Sequence, residues 1–527
     1  MKVNFFLAHF MPINTCYITQ EISGHLLPGL TVLQSLIFAS HMNDVAQTFV
    51  QNCSGGQRKR LAVGLELTSL RMPNLILIDE PTSGLDSNSS EIVITCLRRI
   101  AHEHNVTIVT SIHQPHTDLL LMFDSLYVLA YGGRCIYSGR SINISQYLQR
   151  IAIPQSKMFP IEKLLQYCSQ DSNDNQIVQR MIEMTNQEII DNGGQLLPLQ
   201  TQLIIDGLQT NRHRFSLTCS KILFHRNLLY IINYRWKMFS MFIIFPILLS
   251  LVLRHFFPAK IAIENGCINL EDDFQNIFCM NSDFEIRKND LQNNVLYNYF
   301  LFFTIMNWIL IQASVIFCID MIYFHNEHRN GWYSTGMFYL VKSITEFIPI
   351  IAIILINAFI FDIYESIKPG IYVWIVIFFL LCSLAMQSIG HLLSIITNGN
   401  FNYLAPIIVG ALVLNFLLSS YSSPIQHLNY FYKFLANFSP LRFGFEGLLL
   451  LQYGFNRCHS DRKEIQIILH QFGIVNDEEY FYTCILMLVF NIIFHRFITF
   501  LVLMIKMNPY NNRRKRSERI LQSHGLN

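Results

Sequence analysis

At 527 residues the chain has room for several domains, and 51% hydrophobic, 13% aromatic and only 14% charged residues make it too apolar for a water-soluble protein. A formal net charge of +2 argues against nucleic acid or a polyacid as the partner. The apolar excess is segregated, because residues 1–170 have an ordinary globular composition while long uncharged runs dominate from Trp236 onward.

Along the chain, the first candidate for phosphate binding fails. Gly24 and Gly29 have the glycine spacing of a phosphate-gripping loop, but Leu30 stands where its lysine belongs, and GxxxxGK[ST] occurs nowhere in the sequence. Ser54, Gly55 and Gly56 precede a helix-forming run from Gln57. A hydroxyl and unhindered backbone amides therefore sit at a helix start, where unpaired N–H groups and the dipole favour phosphate. Residues 75–78 are uniformly apolar and read as a buried parallel strand, at whose carboxyl end Asp79 can hold the water shell of a magnesium ion while Glu80 polarises an attacking water. The tetrapeptide SGLD, ending at Asp86, follows, and a second apolar strand, 106–109, leads to His113, placed to contact a terminal phosphate. Each element alone is commonplace, since Gly-Gly pairs are usually turns and a histidine after a strand is usually a surface residue. Jointly, with 25 residues from Ser54 to Asp79 and 33 from Glu80 to His113, they form one nucleotide-handling set.

The stretches CSGGQRKRLAVGLEL, IDEPTSGLDS, SIHQP and FDSLYVLAYGGRCIYSG resemble the nucleotide-binding domain of ABC transporters of subfamily G, the white-type half-transporters, with wording closest to the sterol- and lipid-handling branch. The resemblance implies that Ser54, Gly55, Gly56 and Gln57 are the signature, Asp79 and Glu80 the Walker B pair, Asp86 the D-loop aspartate and His113 the switch histidine. The segment YITQEISGHLLPGLTV resembles the Q-loop region, which implies Gln20 as a magnesium and water contact. The implied cofactors are ATP and Mg2+. Glu80 and His113 are then catalytic, the signature residues and Asp86 bind nucleotide, and Gln20 and Asp79 serve the metal. The family's P-loop region is missing from the N-terminal residues, and only 34 residues separate Gln20 from Ser54, where the family inserts a longer helical subdomain. A truncated gene model or isoform is expected in preference to a degenerate cassette, and the sequence leaves both open.

The expected fold class is an N-terminally incomplete α/β P-loop-type nucleotide-binding domain, residues 1–170, followed by an all-α six-helix transmembrane domain, residues 236–510. Between them lie a linker rich in Asn, Gln and Asp, 171–211, and an interfacial connecting helix, 212–235, for which a plain cytosolic helix is the alternative; a basic cytosolic tail, 511–527, ends the chain. A hydrocarbon core requires about 20 apolar residues per helix. The runs 236–257, 295–319, 344–364, 371–396, 402–420 and 480–505 qualify, the third and fifth being short. Basic clusters before the first run and after the last place both ends on the cytosolic side. The opening ten residues lack the apolar core and cleavage site of a signal peptide. Residues 324–334, FHNEHRNGWYS, resemble the family's cytoplasmic coupling segment, and 421–479 include a stretch that resembles its re-entrant elements. Cys267 and Cys279 are candidates for a disulfide, a question that stays open. Within the spans, Asn307, Gln312, Asn357, Gln387, His391, Asn415, His495 and Arg496 read as interhelical or anchoring groups ahead of substrate contacts. Tyr297, Tyr299, Phe300, Phe302 and Phe303 read either as the lining of an apolar pathway or as a lipid-facing surface.

The function this resemblance implies is ATP-driven export of a hydrophobic or amphipathic substrate, lipid or sterol, across the plasma membrane, with the cassette cytosolic. The working form is a homodimer, or a heterodimer with another subfamily G half-transporter, in contact with membrane lipid and a hydrophobic small-molecule substrate, and with no nucleic acid. ATPase activity is conditional on a P-loop supplied by a partner or by further N-terminal sequence. The alternative is a non-catalytic or truncated subunit that regulates an intact partner.

Overall fold

The computed structural model describes residues 15–18, 55–67, 75–112, 117–130, 133–151, 160–168, 176–191, 217–232, 236–257, 267–269, 282–330, 332–365, 369–422, 429–455 and 464–507. They fall into two compact units, Met1–Arg214 with Asn326–Trp332, and Phe215–His325 with Tyr333–Asn527.

In the first unit the chain runs through β1 (Thr15–Ile18), α1 (Gly55–Leu67), β2 (Leu75–Asp79), α2 (Ser87–Glu103) and β3 (Thr107–Ser111). The three strands pair in parallel in the order β1-β2-β3, with Ile18 opposite Ile78 and Asp79 opposite Ser111. Parallel neighbours need a crossover between them, and α1 and α2 occupy those positions in the chain. The apolar run of β2 explains its central place: Ile76 and Ile78 are buried with Leu61 and Leu65 of α1 and Val93, Ile94 and Leu97 of α2. Trp332 packs, partly buried, against the same cluster.

A second cluster follows in α3 (Thr117–Leu121), β4 (Leu126–Leu129), β5 (Cys135–Gly139), α4 (Ile144–Arg150), α5 (Pro160–Cys168) and α6 (Gln176–Asp191). β4 and β5 pair antiparallel, and Ile136, Leu164, Val178 and Met181 are fully buried around them. Tyr147 anchors this cluster, its hydroxyl donating to Ile136 O at 2.5 Å and lying 2.9 Å from the Thr185 hydroxyl. Residues 176–191, expected as linker, are therefore a helix built into this unit. The Asn- and Gln-rich composition hides Val178, Met181 and Thr185, which recur at helical spacing and are all buried.

The second unit is helical: α7 (Leu217–Tyr230), α8 (Trp236–Phe256), α9 (Ser282–Arg329), α10 (Thr335–Glu365), α11 (Pro369–Ile396), α12 (Phe401–Leu417), α13 (Tyr430–Ala436), α14 (Pro440–Tyr453), α15 (Ile467–Phe472) and α16 (Glu478–Met507). Two short strands, β6 (Cys267–Asn269) and β7 (Glu464–Gln466), pair antiparallel and tie the segment after α8 to the one before α15. Cys279, the candidate partner of Cys267, lies outside the described residues.

Among the described residues five helices are long and apolar enough to cross a membrane: Trp236–Phe256, Leu291–Arg329, Thr335–Phe359, Gly370–Ile396 and Glu478–Met507. The six expected spans thus become five and a shorter one, because the fifth is α12, an apolar helix of 17 residues. At 1.5 Å per residue it extends about 25 Å, against a hydrocarbon core of about 30 Å. α10 starts at Thr335 and not near 344, so the helix takes in Lys342 as well as Glu346, and both are buried within the helix bundle. α7 falls inside the expected connecting helix and buries Leu223, Arg226 and Tyr230, the last meeting Tyr323 edge-on at 6.4 Å.

α14 is buried along nearly its whole length. Gly447 makes this possible, since a Cβ there would sit 2.1 Å from the Phe378 ring. The aromatic run of α9 is interior packing and not a lipid-facing surface: Tyr299 and Phe302 are each 1% exposed, and Tyr299 stacks on Tyr421 at 4.0 Å.

Candidate nucleotide site and membrane core

The carboxyl end of β2 carries the acidic pair. Asp79 is the last residue of the strand, and its Oδ1 accepts a hydrogen bond of 2.5 Å from the Ser111 hydroxyl across the β2–β3 register. The same hydroxyl oxygen accepts from the Glu80 backbone N–H at 3.1 Å. One side chain therefore fixes both members of the pair. Glu80 leaves the strand with φ +46°, a left-handed conformation that a non-glycine residue adopts at a cost. Lys59, from α1, secures the turn: its Nζ donates to Glu80 O at 3.0 Å and to Ser83 O at 2.8 Å. Burial pushes the Lys59 ammonium below its ordinary pKa, against the charge of Glu80, which pulls it back up.

Asp86 caps α2, accepting from the Ser89 N–H at 3.2 Å. Hydrogen bonds from the Ser89 hydroxyl and backbone hold its carboxyl below the usual carboxylate range. Gly55 opens α1, so Gly55, Gly56 and Gln57 form its first turn. Gln20, Ser54 and His113 lie outside the described residues. Sequence reasoning passed over Ser111 and Lys59, although Ser111 stands at the head of the SIHQP stretch and Lys59 within the GGQRKR run. No cluster of three or more His, Cys, Asp or Glu side chains fit to hold a metal occurs among the described residues. Asp79 alone suits Mg2+, which takes one or two carboxylates and fills its remaining positions with phosphate and water oxygens.

The membrane-type unit holds a charged network of its own. Lys342 on α10 pairs with Asp320 on α9 and lies 3.1 Å from Glu346 Oε1, an ion pair without hydrogen-bond alignment. The other Glu346 oxygen lies 2.5 Å from His391 Nε2 and 3.4 Å from Gln387 Nε2, both on α11. Arg496 on α16 donates to Gln387 Oε1 at 3.0 Å. Four helices are joined this way, with Glu346 only 2% and His391 0% exposed. Asn415 of α12 donates to Asn307 of α9 at 3.0 Å. These amides and Arg496 thus bridge helices, as the sequence suggested. The signal it offered for Lys342 and Glu346 was their i, i+4 spacing in an apolar helix.

A second carboxylate, Glu446 on α14, accepts from Tyr480 at 2.5 Å and from Arg442 at 3.2 Å, and bonds the Ser420 hydroxyl. Between α9, α10, α11 and α14 lies an apolar cavity of about 40 Å³ whose lining includes Asn298, Asn357 and Gln452.

Residues 220–453 match the ABC-2 type transporter family. The chain is 38% identical over 122 residues to ABC transporter G family member 25 of Arabidopsis thaliana, covering 23% of this chain and 18% of that protein. It is 47% identical over 100 residues to ABC transporter G family member 28 of the same plant, covering 19% of this chain and 9% of that protein. A putative white-brown complex homolog protein 30, also from Arabidopsis thaliana, is 45% identical over 100 residues, 19% of this chain and 9% of its own length. The matched stretches thus span a fifth or less of these relatives. An ABC-2 type membrane domain over residues 220–453 and G-family and white-brown complex relatives among the matches together support a subfamily G half-transporter.

Proposed function

We propose that the chain is one subunit of a dimer that moves a hydrophobic or amphipathic molecule, lipid or sterol, across the plasma membrane at the expense of ATP. The observation that carries this reading is the acidic pair at the end of β2, fixed by Ser111 and Lys59, in the same chain as an ABC-2 type membrane domain. When bound, MgATP supplies free energy by transfer of its terminal phosphoryl group to water. Asp79, with Oδ1 held by Ser111, keeps its other oxygen for the magnesium shell. Glu80 would accept the proton of the attacking water on its carboxylate, Gln20 would contact metal and water, and His113 would contact the terminal phosphate. Ser54, Gly55, Gly56 and Gln57 would offer a hydroxyl and helix-start amides to a nucleotide, and Asp86 caps α2. The nucleotide-binding domain is α/β, cytosolic, and completed by a P-loop from outside these 527 residues.

The test is uptake of a labelled sterol or phospholipid by inside-out vesicles containing the chain and an intact subfamily G half-transporter. Uptake that requires ATP and is lost with a non-hydrolysable analogue is the expected result. Equal uptake with the analogue overturns the proposal.

A second reading is favoured by the lack of GxxxxGK[ST] in the chain: a non-catalytic subunit that lends only its signature to the partner's nucleotide. ATPase measurements on the two-subunit assembly separate the readings. If the chain only lends its signature, Gly55→Asp abolishes turnover and Glu80→Gln leaves it nearly intact. If the chain's own acidic pair works, Glu80→Gln is the more damaging.

A further inference from the structure

The turn after β2 is held on both sides of Glu80, and one of the two anchors comes from α1. The Glu80 N–H donates to the Ser111 hydroxyl at 3.1 Å, while the Glu80 carbonyl oxygen accepts from Lys59 Nζ at 3.0 Å and from the Ser83 N–H at 3.2 Å. Lys59 also donates to Ser83 O at 2.8 Å, so one ammonium spans the first and last residues of the turn 80–83. Left-handed residues bracket it, with φ +46° at Glu80 and φ +70° at Gly84.

A left-handed conformation is costly for a residue other than glycine and persists only where the surroundings impose it. Pro81 adds to that cost, because the residue before a proline is pushed towards extended backbone. With Ser111 on its N–H and Lys59 on its carbonyl, Glu80 has both backbone polar groups tied from outside the turn, and the direction of its side chain is set with them. Lys59 lies four residues after Gly55, one helical turn into α1. It is half-buried, and burial pushes its ammonium below the ordinary lysine pKa. A lysine on a helix surface escapes that penalty by carrying its charge out to water. Lys59 instead keeps its ammonium on two backbone carbonyls.

We infer that Lys59 is a positioning residue for phosphoryl transfer: acting through the backbone of Glu80 and Ser83, it holds the Glu80 carboxylate in place and ties it to α1, the helix whose first turn carries Gly55, Gly56 and Gln57. A shift of α1 then reaches the acidic pair through one side chain. The inference deepens the transport reading and rests on it for what Glu80 does to water. The hold on the turn does not depend on that reading.

The test uses the full chain assembled with an intact subfamily G half-transporter in nanodiscs, and reads amide hydrogen exchange without nucleotide beside steady-state ATP turnover. Lys59→Met keeps the apolar stem and removes the donors. Lys59→Gln, too short to span both carbonyls, repeats the comparison with a polar side chain. In both variants the amides of Ser83 and Leu85, bonded within the turn, should exchange about tenfold or more faster, while those of Val93, Ile94 and Leu97 in α2 stay within about twofold. The kcat should fall about 10–100-fold with KM for ATP within about twofold, since the anchor acts on the place of Glu80 and not on the grip on nucleotide. Lys59→Arg, which keeps charged donors, should recover part of both losses. Unchanged exchange at Ser83 and Leu85 overturns the inference, and so does turnover within about twofold of the unaltered assembly where Glu80→Gln abolishes it. Exchange raised equally throughout α1 and α2 also overturns it, because that marks a role in folding alone. If Glu80→Gln leaves turnover intact, the reading of the chain's own acidic pair fails, and the exchange at Ser83 and Leu85 decides by itself whether Lys59 holds the turn.

Discussion

Loss of Glu346 should cost the membrane unit several kcal/mol, on the order of 3 kcal/mol. It is 2% exposed, lies 3.1 Å from Lys342 Nζ and 2.5 Å from His391 Nε2, and accepts from Gln387. Glu346→Leu removes the only carboxylate facing His391 in this network and one of the two facing Lys342, while Lys342, itself 3% exposed, keeps Asp320. Breaking a buried pair by removing one partner costs about 3–5 kcal/mol, because the other charge stays buried. The surviving Lys342–Asp320 pair sets the expectation at the lower end, about 3 kcal/mol. Lys342→Met alone leaves Glu346 and Asp320 facing each other as like charges, and costs as much or more. The double variant Glu346→Leu/Lys342→Met replaces the pair with apolar bulk, so its loss falls short of the sum by about 1 kcal/mol or more. The assay is reversible denaturant unfolding in detergent micelles, followed by tryptophan fluorescence. Single losses under about 0.5 kcal/mol, with effects adding to within about 0.5 kcal/mol, would refute the reasoning.

Four further outcomes are expected. Gly390→Ala brings a Cβ to 2.7 Å from Leu310 O, where backbone meets backbone, so it should destabilise by about 1–3 kcal/mol; Gly410→Ala, with nothing within 4 Å, should leave the unfolding midpoint unchanged or higher. Ser111→Ala, which frees the carboxylate of Asp79 and the N–H of Glu80, should lower ATP turnover of the two-subunit assembly about 10–100-fold with expression unchanged. Tyr147→Phe should cost about 1 kcal/mol through its lost bond to Ile136 O and should expose 176–191 to limited proteolysis, unlike a true linker, which would be cut equally in both proteins. Tags at positions 275 and 515 should be reached from opposite sides of sealed vesicles, and equal accessibility from one side would sink the topology.

What the sequence made legible were features whose cause is local. The apolar run 75–78 and the two carboxylates after it read directly as a central strand with acids at its end, because burial on both faces forbids alternation. Asn415 and Gln387 read as interhelical groups because an amide in an apolar run has few other uses. The misses are cases in which distant partners pay for a local anomaly. Lys342 and Glu346 drew no reading from the sequence because their partners, Asp320 and His391, lie 22 and 45 residues away. The stripe of α6 was diluted by the polar residues between its buried positions. Ser111 gave no sign, since a serine near a strand end acquires its role only through the β2–β3 register.

The polar atoms of the membrane-type unit divide into two groups with opposite consequences. Near the start of α10, Lys342 and Glu346 are tied to α9 and α11, and Arg496 extends the network to α16. A buried network of that kind is costly to break, so these segments should move as one body. Eleven residues further along the same helix, about 16 Å by helical rise, Asn357 presents a carbonyl oxygen with no hydrogen-bond partner among the described residues. An apolar leucine there would pack without that burden, so the amide is a local stability cost. One helix thus carries a rigid junction at one end and an unsatisfied acceptor facing a cavity at the other.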